Sequence, residues 1–184
     1  ETYVLTDTLF KAVSDTKTPQ GVMCICYFAD KDIIFKKGCR YIALENIQDP
    51  ANMGTILRTA EALGISGAIC SKDCCDCYSP KVLRGSMGAV FRLPIAQTDD
   101  FGDFIKRQNE KGFLTIAAVP DSNAMKITEY KGDSVIAFIG NEGNGLTAET
   151  INLCKQKVTI PMLGRAESLN ASAAAAIVMW EIMK

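Results

Sequence analysis

Apolar residues fall along this chain in short unbroken runs rather than in alternating ones. Gly21 to Ala29 reads GVMCICYFA, Arg40 to Asn46 RYIALEN, Gly67 to Cys70 GAIC, Phe113 to Val119 FLTIAAV, Val135 to Gly140 VIAFIG and Lys157 to Ile160 KVTI. Runs of this length without a two-residue alternation predict strands covered on both faces, the habit of a parallel sheet. Between them, apolar positions recur every three to four residues and predict helices over Asn52 to Leu63, Pro80 to Met87, Phe101 to Glu110 and Thr147 to Cys154. A last helix begins around Ser168-Leu169-Asn170, where Ser168 or Asn170 can cap it, and continues through the small residues Ala171 to Ala176. Such alternation of strand and helix argues for an α/β domain on a mainly parallel sheet. Val4 to Val13 carries a short amphipathic helix pattern followed by polar Ser14 to Gln20, so residues 1–20 read as a helix and linker and 21–184 as one domain.

Composition narrows the picture. A chain of 184 residues is large enough for a full core. Its net charge of −1 provides no general basic field, so contacts to a nucleic acid must be local. No apolar run approaches the ~20 residues of a membrane span, and no signal segment opens the chain, which predicts a cytoplasmic protein. Of the eight cysteines, Cys24 and Cys26 sit inside an apolar run and Cys70 ends another, as small buried hydrophobes do. Cys74 and Cys77 have the spacing of half a zinc site, but no second close pair exists and the chain lacks histidine. Reduced thiols and no metal are expected.

Three stretches carry candidate chemistry. Gly140-Asn141-Glu142-Gly143-Asn144-Gly145 joins a strand to a helix, with glycines that allow close backbone approach. The order Gly-x-x-Gly-x-Gly is neither the dinucleotide fingerprint nor a Walker loop, so a ligand here should depend on main-chain contacts; a plain tight turn has the same pattern. In Glu45 to Gly64, Asp49-Pro50 makes a turn, Asn52 can cap a helix and Gly64 can end it. At 100° per residue Met53, Ile56, Leu57, Ala60 and Leu63 share one face and Arg58 points away from it. An outward arginine is commonly a solvated charge, but Asn46, Gln48, Asp49 and Asn52 crowd the same strand–helix junction. Val158 to Met183 runs from a proline-stopped strand through a polar loop into a small-residue helix, which suits a ligand held by main chain.

Together these stretches resemble the three motifs of the SpoU/TrmH family of RNA ribose methyltransferases, in the SPOUT class. The first spans Asn46 to Ala60 with Asn52 and Arg58; the second spans Ile139 to Leu146. The third joins Ile160-Pro161-Met162 to Ser168-Leu169-Asn170-Ala171-Ser172, with alanine where valine is commoner at 171. Pro80 to Arg92 is similar to the family as well. The resemblance implies a Rossmann-like sheet with a C-terminal trefoil knot, a homodimer, and S-adenosylmethionine held near Gly140, Ile160 and Leu169, with Asn141, Met162 and Ala118 beside them. It implies transfer of a methyl group to a ribose 2′-hydroxyl of tRNA or rRNA. It also implies an N-terminal RNA-binding domain upstream of residue 1.

For that reaction a hydroxyl must be made nucleophilic. Arg58, with a guanidinium that holds its proton, is expected to lower the hydroxyl's pKa and fix a phosphate; Asn52 orients it or the ribose. Glu142 pairs a cation or takes the proton, and Ser168 and Asn170 shape the pocket. Lys81, Arg84, Arg92 and Arg165 are the local cations for RNA. Two other readings share the pattern: a catalytically idle RNA-binding module of the same fold, and a nucleotide-dependent enzyme using the Gly140 to Gly145 loop.

Overall fold

The computed structural model describes residues 1–14, 16–27 and 33–184. Seven parallel strands form one sheet in the order β3-β2-β1-β6-β4-β7-β5. They are β1 (Arg40–Leu44), β2 (Ala68–Ser71), β3 (Ile95–Thr98), β4 (Leu114–Ala118), β5 (Met125–Lys126), β6 (Val135–Ile139) and β7 (Gln156–Thr159). The helices are α1 (Asp7–Val13), α2 (Pro50–Leu63), α3 (Pro80–Ser86), α4 (Phe101–Glu110), α5 (Ala148–Leu153) and α6 (Ala171–Met183).

The unbroken apolar runs have a direct cause in this arrangement. In β1, Ile42 and Leu44 face one side while Tyr41 and Ala43 face the other; in β6, Val135, Ala137 and Ile139 oppose Ile136 and Phe138. Both sides are covered, so every position is apolar. One side is aliphatic and packs on α2 and α6 through Met53, Ile56, Leu57, Val178 and Met179. The other is aromatic and packs on α4 through Phe101 and Phe104, with Phe138 edge-on to Phe101 at 5.6 Å. Where α2 crosses α3, Gly54 meets Gly85 so closely that a Cβ on Gly54 would lie 3.0 Å from the Gly85 backbone.

Several expectations need correction. GVMCICYFA was expected as a strand, yet residues 21–27 form none, and Phe28 and Ala29 lie outside the described residues. The sheet ends at β3 and β5, so this run has no neighbouring ladder to join. Ile25 and Tyr27 are almost fully exposed, and Cys24 and Cys26 are exposed rather than buried. Asp49, not Asn52, caps α2 by accepting from Ala51 N at 2.9 Å; Pro50 occupies the first turn, where its missing N–H costs nothing. Strands β3 and β5 are additions.

Candidate active site

The C-terminal ends of β1, β4, β6 and β7 open into a cavity of about 430 Å³, within the range of small-molecule sites. Its walls are the turn after β6 and the segment after β7. Gly140, Ile160, Leu169, Asn141, Met162 and Ala118, the six expected cofactor residues, all line it, as do Glu142 and Ser168. Val119, Pro120, Thr159 and Glu167 line it too, though nothing in the sequence reading singled them out. Their signal was position alone, because ligands in open parallel sheets gather at the carboxyl ends of strands.

The turn after β6 is built from its backbone outward. Asn141 and Gly145 exchange hydrogen bonds, Asn141 N to Gly145 O at 3.1 Å and Gly145 N to Asn141 O at 3.0 Å. A Cβ at Gly140 would fall 2.1 Å from the Gly145 carbonyl carbon, so only glycine fits. Asn141 Oδ1 accepts from Gly143 N at 2.8 Å and Asn144 N at 3.1 Å, while its Nδ2 donates to Asn46 O at 2.8 Å. Asn46 holds a positive φ of 57° and is fixed from behind by Ser71, whose Oγ accepts from Asn46 N at 2.9 Å and donates to its Oδ1 at 3.0 Å. The glycine turn and the first stretch are therefore one hydrogen-bonded frame.

Below that frame lies a buried carboxylate. Glu45 accepts from Thr147 N at 2.8 Å, Thr147 Oγ1 at 2.9 Å and Thr150 Oγ1 at 2.7 Å. Thr147 caps α5, so Glu45 ties the end of β1 to the start of that helix. Burial of a carboxylate demands such donors. A threonine pair at the start of α5 was its only trace in the sequence.

At the rim three side chains meet from the three stretches. Asn52 Nδ2 donates to Glu142 Oε1 at 2.9 Å, and Asn170 Nδ2 donates to Asn52 Oδ1 at 3.1 Å. Asn170 also caps α6, accepting from Ser172 N at 2.9 Å and Ser172 Oγ at 2.6 Å. Asn52, Glu142 and Asn170 are thus brought together as a relay of amides ending on a carboxylate. The second oxygen of Glu142 has no hydrogen bond among the described residues. Ser168 lines the cavity without joining the relay. Arg58 is exposed on α2 and forms no ion pair among the described residues.

The expected RNA cations do not gather at one point. Lys81 pairs with Asp49 at 3.6 Å, at the start of α2. Arg92 makes a two-pronged pair with Glu61, at 2.7 and 3.2 Å near the helix's far end, and holds that carboxyl below its usual range. Asp49 and Glu61 stand about 18 Å apart along the helix. Arg84 is exposed on α3 and Arg165 on the segment after β7. All eight cysteines are free, and no cluster of three or more His, Cys, Asp or Glu among the described residues is placed to hold a metal.

Known proteins share this arrangement. The family model described as the SpoU rRNA Methylase family matches residues 40–180. A 23S rRNA (guanosine(2553)-2'-O)-methyltransferase, RlmP of Bacillus subtilis (strain 168), is 28% identical over 183 residues, which is 98% of this chain and 71% of that protein. The crystal structure of an AdoMet-bound rRNA methyltransferase from Sinorhizobium meliloti aligns with a TM-score of 0.75 at 35% identity, covering 80% of this chain and 57% of that one. The SpoU methyltransferase AviRb from Streptomyces viridochromogenes, in complex with AdoMet, aligns with a TM-score of 0.74 at 30% identity, covering 82% and 62%. Among the first curated relatives the chain spans from 51% to 71% of their length.

Proposed function

The chain belongs to the SpoU rRNA methylase family, and on that premise we propose that it transfers a methyl group from S-adenosylmethionine to a ribose 2′-hydroxyl of tRNA or rRNA. The observation that carries this reading is the cavity at the strand ends, bordered by main chain that no side chain could replace at Gly140 and by the Asn170–Asn52–Glu142 relay. The residues fit the cofactor: the volume suits a nucleoside-sized ligand, and the Gly140 turn presents backbone rather than bulk. When bound, S-adenosylmethionine supplies an electrophilic methyl group on a sulfonium.

The chain's own groups do the rest. Gly140, Ile160 and Leu169 hold the cofactor, with Asn141, Met162 and Ala118 completing the wall. Asn52 holds Glu142 Oε1 in place, which leaves Oε2 to accept the proton of the attacking hydroxyl. Asn170 holds Asn52, and Ser168 shapes the opening. Arg58 supplies fixed positive charge to the developing alkoxide and to a flanking phosphate. With no histidine in the chain, no imidazole takes part.

A homodimer belongs to this reading, and its support differs from the sequence argument. Ala171 and Ala175 pack inside the chain, whereas Ile177, Trp180 and Leu163 are exposed apolar groups that a second copy would cover. The trefoil knot is part of it as well, supported by the way the segment after β7 shares the cavity with the turn after β6 before entering α6. So is a boundary near residue 20, because α1 buries none of its residues. No helix among the described residues is long and apolar enough to cross a membrane. Cytoplasmic placement is supported by the free thiols.

The test is transfer of labelled methyl to RNA followed by nucleoside mass spectrometry. A label on the ribose is expected, and a label on a base overturns the reading. Arg58→Ala should lower transfer roughly a hundredfold, the scale of one lost charge-stabilising group, with cofactor affinity unchanged. Thermal-shift stabilisation by NAD or ATP instead of S-adenosylmethionine would favour a nucleotide-dependent enzyme.

A further inference from the structure

Behind the frame of the active site lies a group of sulfurs that methyl transfer does not use. Cys70 ends β2 and is fully buried; its Sγ lies 3.8 Å from Cys77 Sγ and in hydrogen-bonding contact with Cys74. Cys74 donates its S–H to Leu44 O at 3.3 Å and stands 3.7 Å from Ser71 Oγ. The fold gathers them by a turn, Cys74 N to Ser71 O at 3.1 Å, and by Cys75 N to Ile47 O at 2.8 Å, which pins the following loop to the first stretch. None is in a disulfide.

These thiols are not chemically alike. The hydrogen bond from Cys70 is the main cause that brings Cys74 down to about 7, with Ser71 and backbone donors adding to it. Burial pushes Cys75 up to about 11 and Cys154 up to about 12. Thiolate is the attacking form, so near neutral pH Cys74 is armed and those two are not. Cys70, in contact with both Cys74 and Cys77, is the sulfur placed to receive a bond.

We propose that Cys74 and Cys70 form a thiol–disulfide site, in which Cys74 attacks a small-molecule disulfide such as oxidised glutathione and Cys70 resolves the adduct. The Cys74 sulfur bonds to one sulfur of the oxidant, whose S–S bond breaks and whose other half leaves as a thiolate. Cys70 then gives up its proton to solvent and attacks the Cys74 sulfur, forming the Cys70–Cys74 bond and expelling the second half. Two protein thiols lose two electrons and the oxidant becomes two thiols, so the exchange balances.

The site has a route to the cavity. A Cys74 locked in a disulfide has no S–H for Leu44 O, one residue before Glu45 and two before Asn46. Ser71, adjacent to Cys70, holds Asn46 through two hydrogen bonds, and Asn46 O receives Asn141 of the glycine turn. Oxidation therefore pulls on the frame from behind. This effect on the cavity rests on the cofactor reading above, whereas the disulfide itself does not.

The experiment treats the reduced chain with oxidised glutathione, quenches by alkylation and maps tryptic peptides. Cleavage after Lys72 separates the peptides 59–72, with Cys70, from 73–81, with Cys74, Cys75 and Cys77, so the bridge is visible as their cross-link. Fragmentation is expected to place it at Cys74. Cys70→Ala should arrest Cys74 as a glutathione adduct, and Cys74→Ser should leave Cys70 unmodified. A bridge from Cys70 to Cys77, or glutathione only on exposed Cys24 and Cys26, overturns the proposal. Calorimetry with S-adenosylmethionine should give affinity about fivefold weaker after oxidation, the scale of one lost hydrogen bond, and restored by dithiothreitol. Equal affinity in the two states would sever the site from the cavity. A reduced chain that fails to bind S-adenosylmethionine at all would remove the cofactor reading instead, leaving the peptide map to decide the thiol site.

Discussion

The two walls of the cavity are made in opposite ways. Residues 140–147 are stitched together by their own backbone, by three hydrogen bonds from Asn141 and by the anchor of Thr147 on Glu45. Residues 161–169 across the opening make no hydrogen bond among the described residues, and Met162, Leu163 and Leu169 are exposed. That segment is held by its ends, β7 on one side and the Asn170 cap on the other. One wall takes its shape from the chain alone, and the other must take it from what lands there, cofactor or second copy. A site of this kind binds by closing one side onto a preformed other.

The largest expected effect comes from breaking the stitched wall. Gly140→Ala puts a methyl group where the Gly145 and Leu146 backbone already lies, and cofactor affinity should fall roughly a hundredfold, as geometry errors of about an ångström cost. Calorimetry checks this, and near-normal binding would erase the distinction between the walls. Glu45→Gln replaces an oxygen facing three donors by an amide and should lower unfolding free energy in urea by about 2 kcal/mol. A neutral result would mean that the anchor beneath the turn is dispensable. Asn170→Ala removes the cap that joins the loose wall to α6 and should cost about 1 kcal/mol in the same assay. Its effect on methyl transfer should exceed its effect on stability, because it also frees Asn52. Least sensitive of all is Leu163→Ser, with under about 0.5 kcal/mol expected for a fully exposed side chain. A larger loss at low protein concentration would show that this wall is packed in solution.

The same contrast explains what could be read without coordinates. Strands β1, β4 and β6 were legible because two-sided burial writes itself as an unbroken apolar run. Strand β3 was not, since Ile95-Ala96-Gln97-Thr98 lies at an edge and is only partly buried; β5 is a two-residue pairing with no pattern to carry. The run at 21–27 shows the converse, for apolarity marks a surface that wants cover without saying that a ladder supplies it. Asn52 misled as a cap because asparagine favours both that role and side-chain bonding; Asp49, just before Pro50, had the better claim. The six cavity residues came from motif resemblance, and the strand ends collect them as that resemblance implies. The relay was out of reach, since Asn52 meets partners 90 and 118 residues away. Spacing arguments see neighbours on one element, and this contact is made only by the sheet.

The bare crossing of Gly54 on Gly85 has a mechanical side. Side chains between two helices act as springs, deforming before they transmit; here backbone meets backbone at the limit of contact, and the joint has almost no compliance. A polyanion settling on Lys81 and Arg84 of α3 would load that joint directly. The displacement would pass into α2 two residues from Asn52, whose amide steadies Glu142, so engagement of substrate at the surface would be felt at the carboxylate before the hydroxyl arrives.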